Sequence, residues 1–289
     1  DYLANCPDLR IGGINDKEKV LRHWVYYGQK EGREYRRLKT TGLPVFFRDF
    51  WKRLSLRIRA TRFYQRYLLQ SVSGLRLAVF VHLFEEDLWE EFRNYLRNIP
   101  LPCDVFVNLV ENHYSSGMPG RIKKDFPSAH LSVSPDQGKD VGGFIHLINE
   151  VDLDRYDLIC RVHTKISRHP QTVVFGDTWR RQLLNGILGS PERVLEILHA
   201  FRRQKKTGLI GASEYMRHAI DLNRLEYSKL CDLLGINDGI ADLKYIAGTM
   251  CWVRSDVLKR IKAAGLTVDY FAEPSVKKDG MRKHAFERA

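Results

Sequence analysis

Cysteines are few in this chain and none forms a useful pair: Cys6, Cys103, Cys160, Cys231 and Cys251 stand singly, an odd count with no Cys-x-x-Cys spacing. This excludes a disulfide-stapled scaffold and a cysteine zinc site, and makes reduced, cytosolic thiols the expectation. Long apolar runs are missing too. No stretch approaches the roughly 20 apolar residues of a membrane-spanning helix, and the opening Asp1-Tyr-Leu-Ala-Asn-Cys6 has neither the basic nor the apolar region of a signal peptide. Neither a Gly-x-x-x-x-Gly-Lys-Ser/Thr loop nor a Gly-x-Gly-x-x-Gly turn after a strand occurs, so a P-loop or dinucleotide reading finds no support. The initiating Met is absent and both ends fall inside motifs, which predicts a piece of a longer polypeptide with other domains.

What the chain does have is positive charge in one place. Of a net +12, most comes from residues 29–66, where twelve Lys or Arg face three acidic residues. Such a patch attracts nucleic acid, anionic membrane or anionic glycolipid, or is simply a solvated helix face. Residues 43–70 interleave aromatics with arginines near helical spacing, as in a basic amphipathic helix on a membrane or a linker helix packed on a domain. Packing with a peripheral membrane contribution is the expectation. No helix-turn-helix, zinc-finger or RNP pattern accompanies the charge, so nucleic acid is not expected as a partner.

The first 71 residues read as a helical module and a basic linker helix: one helix stops near Pro7, and a second runs from about Asp16 to Tyr27 and ends at Gly28. Leu21, Trp24 and Val25 make its buried stripe, and His23, with no second ligand at metal spacing, reads as structural. From residue 72 to 289 the pattern alternates. Strands are expected at 75–83, 103–110, 129–134, 156–163, 207–211 and 246–253, and helices at 86–97, near 119–125, 142–150, 177–188, 191–204, 223–234 and 255–264. This alternation predicts an α/β domain with a mostly parallel sheet and covered faces.

Three apolar runs end in polar or glycine-rich patches. Tyr156-Asp-Leu-Ile-Cys-Arg-Val stops in His163-Thr164-Lys165, Asp136-Gln-Gly-Lys-Asp-Val-Gly-Gly-Phe144 precedes a helix, and Gly248-Thr-Met-Cys-Trp252 lies in a late strand. Ligands of α/β sheets bind beyond the carboxyl ends of strands, so chemistry is expected at these ends. A helix start beside Lys139 offers amides and a positive dipole end to an anion, and Asp140 can accept from sugar hydroxyls. A plain glycine-rich loop is the competing reading. Gly248 marks a close approach, while Trp252 is either a stacking face or a core residue. Trp179 likewise frames a site or packs. His284 and Glu287 share a helix face at i, i+3.

The order and spacing of Gly138-Lys-Asp140, His163-Thr-Lys165, Gly248-Thr-Met-Cys-Trp252 and Asp279-Gly280…His284-Ala285…Glu287-Arg288 resemble the rhamnan synthesis protein F family of polysaccharide glycosyltransferases, over residues 75 to 288. Lys139 stands where the family usually has Arg, and Met281-Arg-Lys283 replaces a Thr-Leu-Ala-like stretch. The resemblance implies a GT-A-like, Rossmann-type domain that moves rhamnose or a similar hexose from a nucleotide diphosphate sugar to a growing polysaccharide or lipid-linked glycan. It also implies a cytoplasmic location, with a peripheral place on the inner face of a membrane.

In that reading His82, Asp136, Gly138, Lys139, Asp140, His163, Thr164 and Lys165 bind the donor, and Trp179, Gly248, Thr249 and Trp252 bind sugar or acceptor. Asp279, His284 and Glu287 supply the catalytic base, although Glu287 with Arg288 reads equally as a structural ion pair. Many GT-A enzymes place a metal-binding Asp-x-Asp at a central strand end. Here His163-Thr-Lys165 occupies that place, and a Lys ammonium brings three donors and a charge, so no metal and no cofactor are expected. An inactive transferase-like scaffold is the first alternative, and a nucleic-acid-binding protein the second.

Overall fold

The computed structural model describes residues 64–164, 173–218, 224–236, 244–272 and 281–288, together with Tyr2, Leu9, Ile14, Lys19, Val20, His23, Trp24, Tyr27 and Glu31. The chain divides into two compact units, Asp1–Thr61 and Arg62–Ala289. In the first, Tyr2 and Leu9 are buried against Ile14, Val20 and Trp24, and the Tyr2 hydroxyl lies 3.1 Å from His23 Nδ1. His23 thus has a protein partner at the place where the sequence offered no second metal ligand. Leu21, Val25 and most of the basic segment 29–66 lie outside the described residues.

The larger unit opens with a helical segment at 64–71, on the near side of the expected boundary at 71/72. Leu68 and Val72 are buried in its core, and Ser71 Oγ is 2.7 Å from His199 Nδ1. Four strands follow at the expected places: β1 (Leu77–Leu83), β2 (Cys103–Val110), β3 (His130–Ser134) and β4 (Leu158–His163). With β5 (Leu209–Gly211) and β8 (Cys251–Arg254) they form one sheet in the order β3-β2-β1-β4-β8-β5. The first four are parallel, β8 is antiparallel to both β4 and β5, and so only β8 runs against the rest. The expected mostly parallel α/β sheet is therefore present.

The run expected as one strand at 246–253 is two. β7 (Lys244–Ile246) pairs antiparallel with β6 (Met216–His218) in a separate two-stranded sheet, and β8 begins only at Cys251. Between them Gly248 has φ 97° and Thr249 φ 54°, a left-handed pair that turns the chain.

Helices cover both faces. On one lie α1 (Trp89–Leu96), α2 (Met118–Asp125), α4 (Val173–Leu188) and α5 (Pro191–Arg203). Trp89, Phe92 and Leu96 face the sheet at i, i+3, i+7, and Ser190 caps α5 by accepting from the Arg193 amide at 3.2 Å with Pro191 at the first position. On the other lie α3 (Lys139–Glu150), α6 (Arg224–Leu234), α7 (Ser255–Ala263) and α8 (Met281–Arg288). Each fully buried Leu, Val or Phe contributes about 1.5–3 kcal/mol, so these two layers stabilise the unit. Among the described residues no helix is long and apolar enough to cross a membrane.

Candidate functional site

Parallel strands in register bring residues of equal position side by side. His82 on β1 is the register partner of Asn108 on β2 and of His163 on β4, so these three polar side chains form a row across the carboxyl end of the sheet, with Arg161 two residues below. All four are buried. They lie on the face covered by α3, whose first turn carries Asp140.

Asp140 is the hub. Its Oδ2 accepts from the Thr249 hydroxyl at 2.8 Å, and Arg161 Nη2 reaches its backbone oxygen at 3.3 Å and Oδ2 at 3.5 Å. The Arg161 guanidinium also lies 4.0 Å over the Phe144 ring. Burial pulls the Arg161 pKa down, and Asp140 opposes that pull. Because Thr249 spends its proton on Asp140, His163 must donate from Nε2, to the Gly248 carbonyl at 2.9 Å and the Thr249 hydroxyl at 3.1 Å. The Gly248 amide in turn donates to Glu287 Oε1 at 2.8 Å, and Glu287 Oε2 lies 3.4 Å from His284 Nδ1. One hydrogen-bonded chain thus runs Asp140, Thr249, His163, Gly248, Glu287, His284, joining segments far apart in sequence.

Several expectations change on this geometry. His163 and Thr164 are 1% and 5% exposed, and neither is open to a phosphate. Thr164 Oγ1 accepts from the Phe84 and Glu85 amides at 2.8 and 2.9 Å, and its own amide donates to the His82 carbonyl at 3.0 Å, so it ties the β1 loop to β4. Trp252 is completely buried on the opposite face, with Nε1 donating to the Ile187 carbonyl at 3.2 Å. It offers no stacking surface. Gly248 answers to packing as much as to any ligand: a Cβ there would sit 2.5 Å from Leu183 Cδ1 and 3.0 Å from Trp179 Cζ2. Trp179, half-buried, therefore backs the turn, with Tyr215 6.0 Å away.

The glycine-rich segment is not a loop throughout. Gly138, at φ 67°, caps α3, while Gly142 and Gly143 are inside the helix. A Cβ on Gly143 would overlap His82 Nδ1 and lie 2.6 Å from Asn108 Oδ1, which explains why helix and row touch. Lys139 is exposed at the helix start. Asp136 lies 3.6 Å from His113 Nε2, and the His113 ring packs at a tilt against Phe84 with centroids 4.3 Å apart. Lys165 and Asp279 lie outside the described residues. The chain's one Asp-x-Asp, Asp152-Leu-Asp154, sits at the opposite end of β4, where Asp152 accepts from the Asp154 amide at 3.1 Å and Asp154 pairs with Lys259 at 2.6 Å. Among the described residues no three His, Cys, Asp or Glu side chains are grouped to hold a metal.

Sequence reasoning passed over Arg161, Asn108 and Ser134. For Asn108 and Arg161 the signal was available, since each interrupts an otherwise apolar buried strand and a buried polar group needs a partner; Ser134 ends the half-exposed β3, where no such signal existed. The cysteines behave as small hydrophobes, since burial pushes the Cys251 thiol up to about 11 and Cys160 well above its ordinary value.

Fold and site together define an α/β protein with a polar centre beyond the carboxyl ends of parallel strands, the place where such sheets hold ligands. Comparison with known proteins narrows the class. The model of the family described as rhamnan synthesis protein F matches residues 60–289, and the chain belongs to that family, which ties it to polysaccharide synthesis. It is also 27% identical over 158 residues to the uncharacterized protein WxcX of Xanthomonas campestris pv. campestris, in strain B100 and in strain ATCC 33913. That match covers 53% of this chain but 22% of the relative, so the chain spans only a minor part of the curated relatives it matches.

Proposed function

We propose that residues 62–289 form a GT-A-like glycosyltransferase domain that moves rhamnose or a similar hexose from a nucleotide diphosphate sugar to a growing polysaccharide or lipid-linked glycan, without a metal. The observation that carries this reading is the single hydrogen-bonded chain from Asp140 to His284, in which all four family motifs meet at one strand end. The start of α3 has no side-chain cap on its amides, and Lys139 stands beside it. Amides, dipole and Lys139 receive the diphosphate, and Lys165 neutralises it as it leaves. The buried chain fixes the walls: Asp140 is held by Arg161 and Thr249, and Glu287 clamps the Gly248 turn. The proton of the acceptor hydroxyl goes to an imidazole at this end of the sheet.

Asp136 and Asp140 are the residues a cation would use if the metal-free reading were wrong. The acceptor is held near a membrane by the basic segment 29–66. Calorimetric titration with nucleoside diphosphates, followed by a donor-sugar panel in chelator, tests the proposal. Specific diphosphate binding with transfer that survives chelator is expected. Binding without transfer from any donor would favour a transferase-like scaffold, and activity that returns only with Mn²⁺ or Mg²⁺ would overturn the metal-free mechanism.

A further inference from the structure

Asn108 takes its orientation from a backbone carbonyl. Its Nδ2 donates to the Leu109 carbonyl at 3.2 Å, and its Oδ1 accepts from the Ser134 hydroxyl at 3.1 Å, so Oδ1 is the atom that faces His82 Nδ1 at 2.8 Å. An amide oxygen can only accept, and Nδ1 must therefore carry the ring proton. Nε2 is left with its lone pair, on the ring edge turned away from Asn108. No described residue bonds to it, and this atom keeps contact with solvent although His82 as a whole is only 6% exposed. The ring is rigid: it stands in the second-last position of a central strand, with the backbone of Gly143 pressed against its Nδ1 side.

We infer that His82 is the catalytic base, its Nε2 taking the proton of the acceptor hydroxyl while Asn108 holds the tautomer. This rests on the transferase reading above. The acceptor oxygen forms its bond to the anomeric carbon, the bond from that carbon to the diphosphate oxygen breaks, and the nucleoside diphosphate leaves with the electron pair. The hydroxyl proton moves to Nε2, and the resulting imidazolium keeps its Nδ1 proton on Asn108 until Nε2 releases its own to water. The surroundings keep the resting ring neutral. Burial is the largest influence and lowers its pKa; Asn108, Asp140 and Asp136 favour the charged form, and Arg161 opposes it. In the late motif it is Glu287 that clamps the Gly248 amide, and its other oxygen lies 3.4 Å from His284 Nδ1.

The test is His82→Gln, which keeps a polar side chain but cannot take a proton. Transfer should fall about 10²- to 10⁴-fold while nucleoside diphosphate binding by calorimetry stays within a few-fold. Retained transfer, or loss of binding and transfer together in a folded protein, would overturn the assignment. Should His82→Gln not fold, Asn108→Asp decides: a carboxylate at that position should move the acid limb of the kcat/KM profile to higher pH, and an unmoved limb refutes the role. If the unaltered protein transfers no sugar at all, the failure belongs to the transferase reading. Nitrogen-15 NMR of the histidine rings then still reads His82 without turnover. A neutral ring protonated on Nδ1 supports the inference, and one protonated on Nε2 ends it.

Discussion

The two faces of the six-stranded sheet are made by the same strands and are built differently. Toward α1, α2, α4 and α5 the strands present Leu77, Val79, Val81, Leu83, Val105, Val107, Leu109, Leu158, Cys160, Val162 and Trp252, apolar from end to end. Toward α3, α6, α7 and α8 they begin the same way, with Ala78, Phe80, Phe106 and Ile159, and then change to His82, Asn108, Arg161 and His163. One face is only a core. The other is a core at the amino ends of its strands and a polar site at their carboxyl ends, so each polar group there must be matched by a partner, which α3, the Gly248 turn and α8 bring.

Substitutions on the two faces should separate stability from function. The largest effect is expected from Trp252→Ala on the apolar face: a cavity there should cost about 3–5 kcal/mol, seen as a lower denaturation midpoint with an unchanged slope. Diphosphate binding by the fraction that remains folded should be unaltered. A loss of sugar affinity with little loss of stability would instead restore Trp252 to the site.

Gly143→Ala touches the opposite face at its polar end. The added methyl overlaps His82 and presses on Asn108, so about 1–3 kcal/mol of destabilisation is expected. Here transfer should fall further than stability alone explains, because the displaced ring belongs to the site. Equal losses in both would make the polar row a packing feature only.

The faces should also differ in their response to pH. The His82 pKa is lowered in the folded protein, so the unfolded chain binds its proton more readily. The resulting contribution is fully present above the ordinary histidine value of 6.5 and is lost as pH falls below it toward the folded value. Stability measured from pH 7.5 downward should decline, and His82→Gln should flatten that decline; an equally steep curve would assign it to other groups.

The smallest effect is expected at the far end of the same strands. Arg76 Nη2 pairs with Asp157 Oδ1 at 2.9 Å, the arginine exposed and the carboxylate half-buried. Arg76→Ala should shift the midpoint by no more than the error of measurement and leave binding untouched. A measurable loss of binding would mean that the amino end of the sheet takes part in the site.

Much of this arrangement was legible in advance. Mostly apolar runs gave β1, β2 and β4 to within two residues, since a strand covered on both faces shows little polar alternation, and the half-exposed edge strand β3 was found to within one. The stop of β4 in His163-Thr164 marked the end of the sheet where the polar row lies. Helix limits were less visible: α3 starts at Lys139 rather than 142, because Gly142 and Gly143, which argue for a loop in isolation, are needed where the helix presses on Gln137, His82 and Asn108. The break at Gly248 and Thr249 was hidden for a similar reason, as nothing local in Ala247-Gly-Thr-Met announces a left-handed pair.

By itself, then, the sequence determined the fold class, the family and which segments carry polar chemistry, because periodicity and motif order are local properties of the chain. Only the tertiary structure decided what each polar residue does. His163, Thr164 and Glu287 turned inward to hold backbone groups, Trp252 went to the core, and the His82 ring was fixed through Nδ1 by Asn108. Those assignments depend on register between strands distant in sequence, and on which face a residue takes once the sheet is assembled.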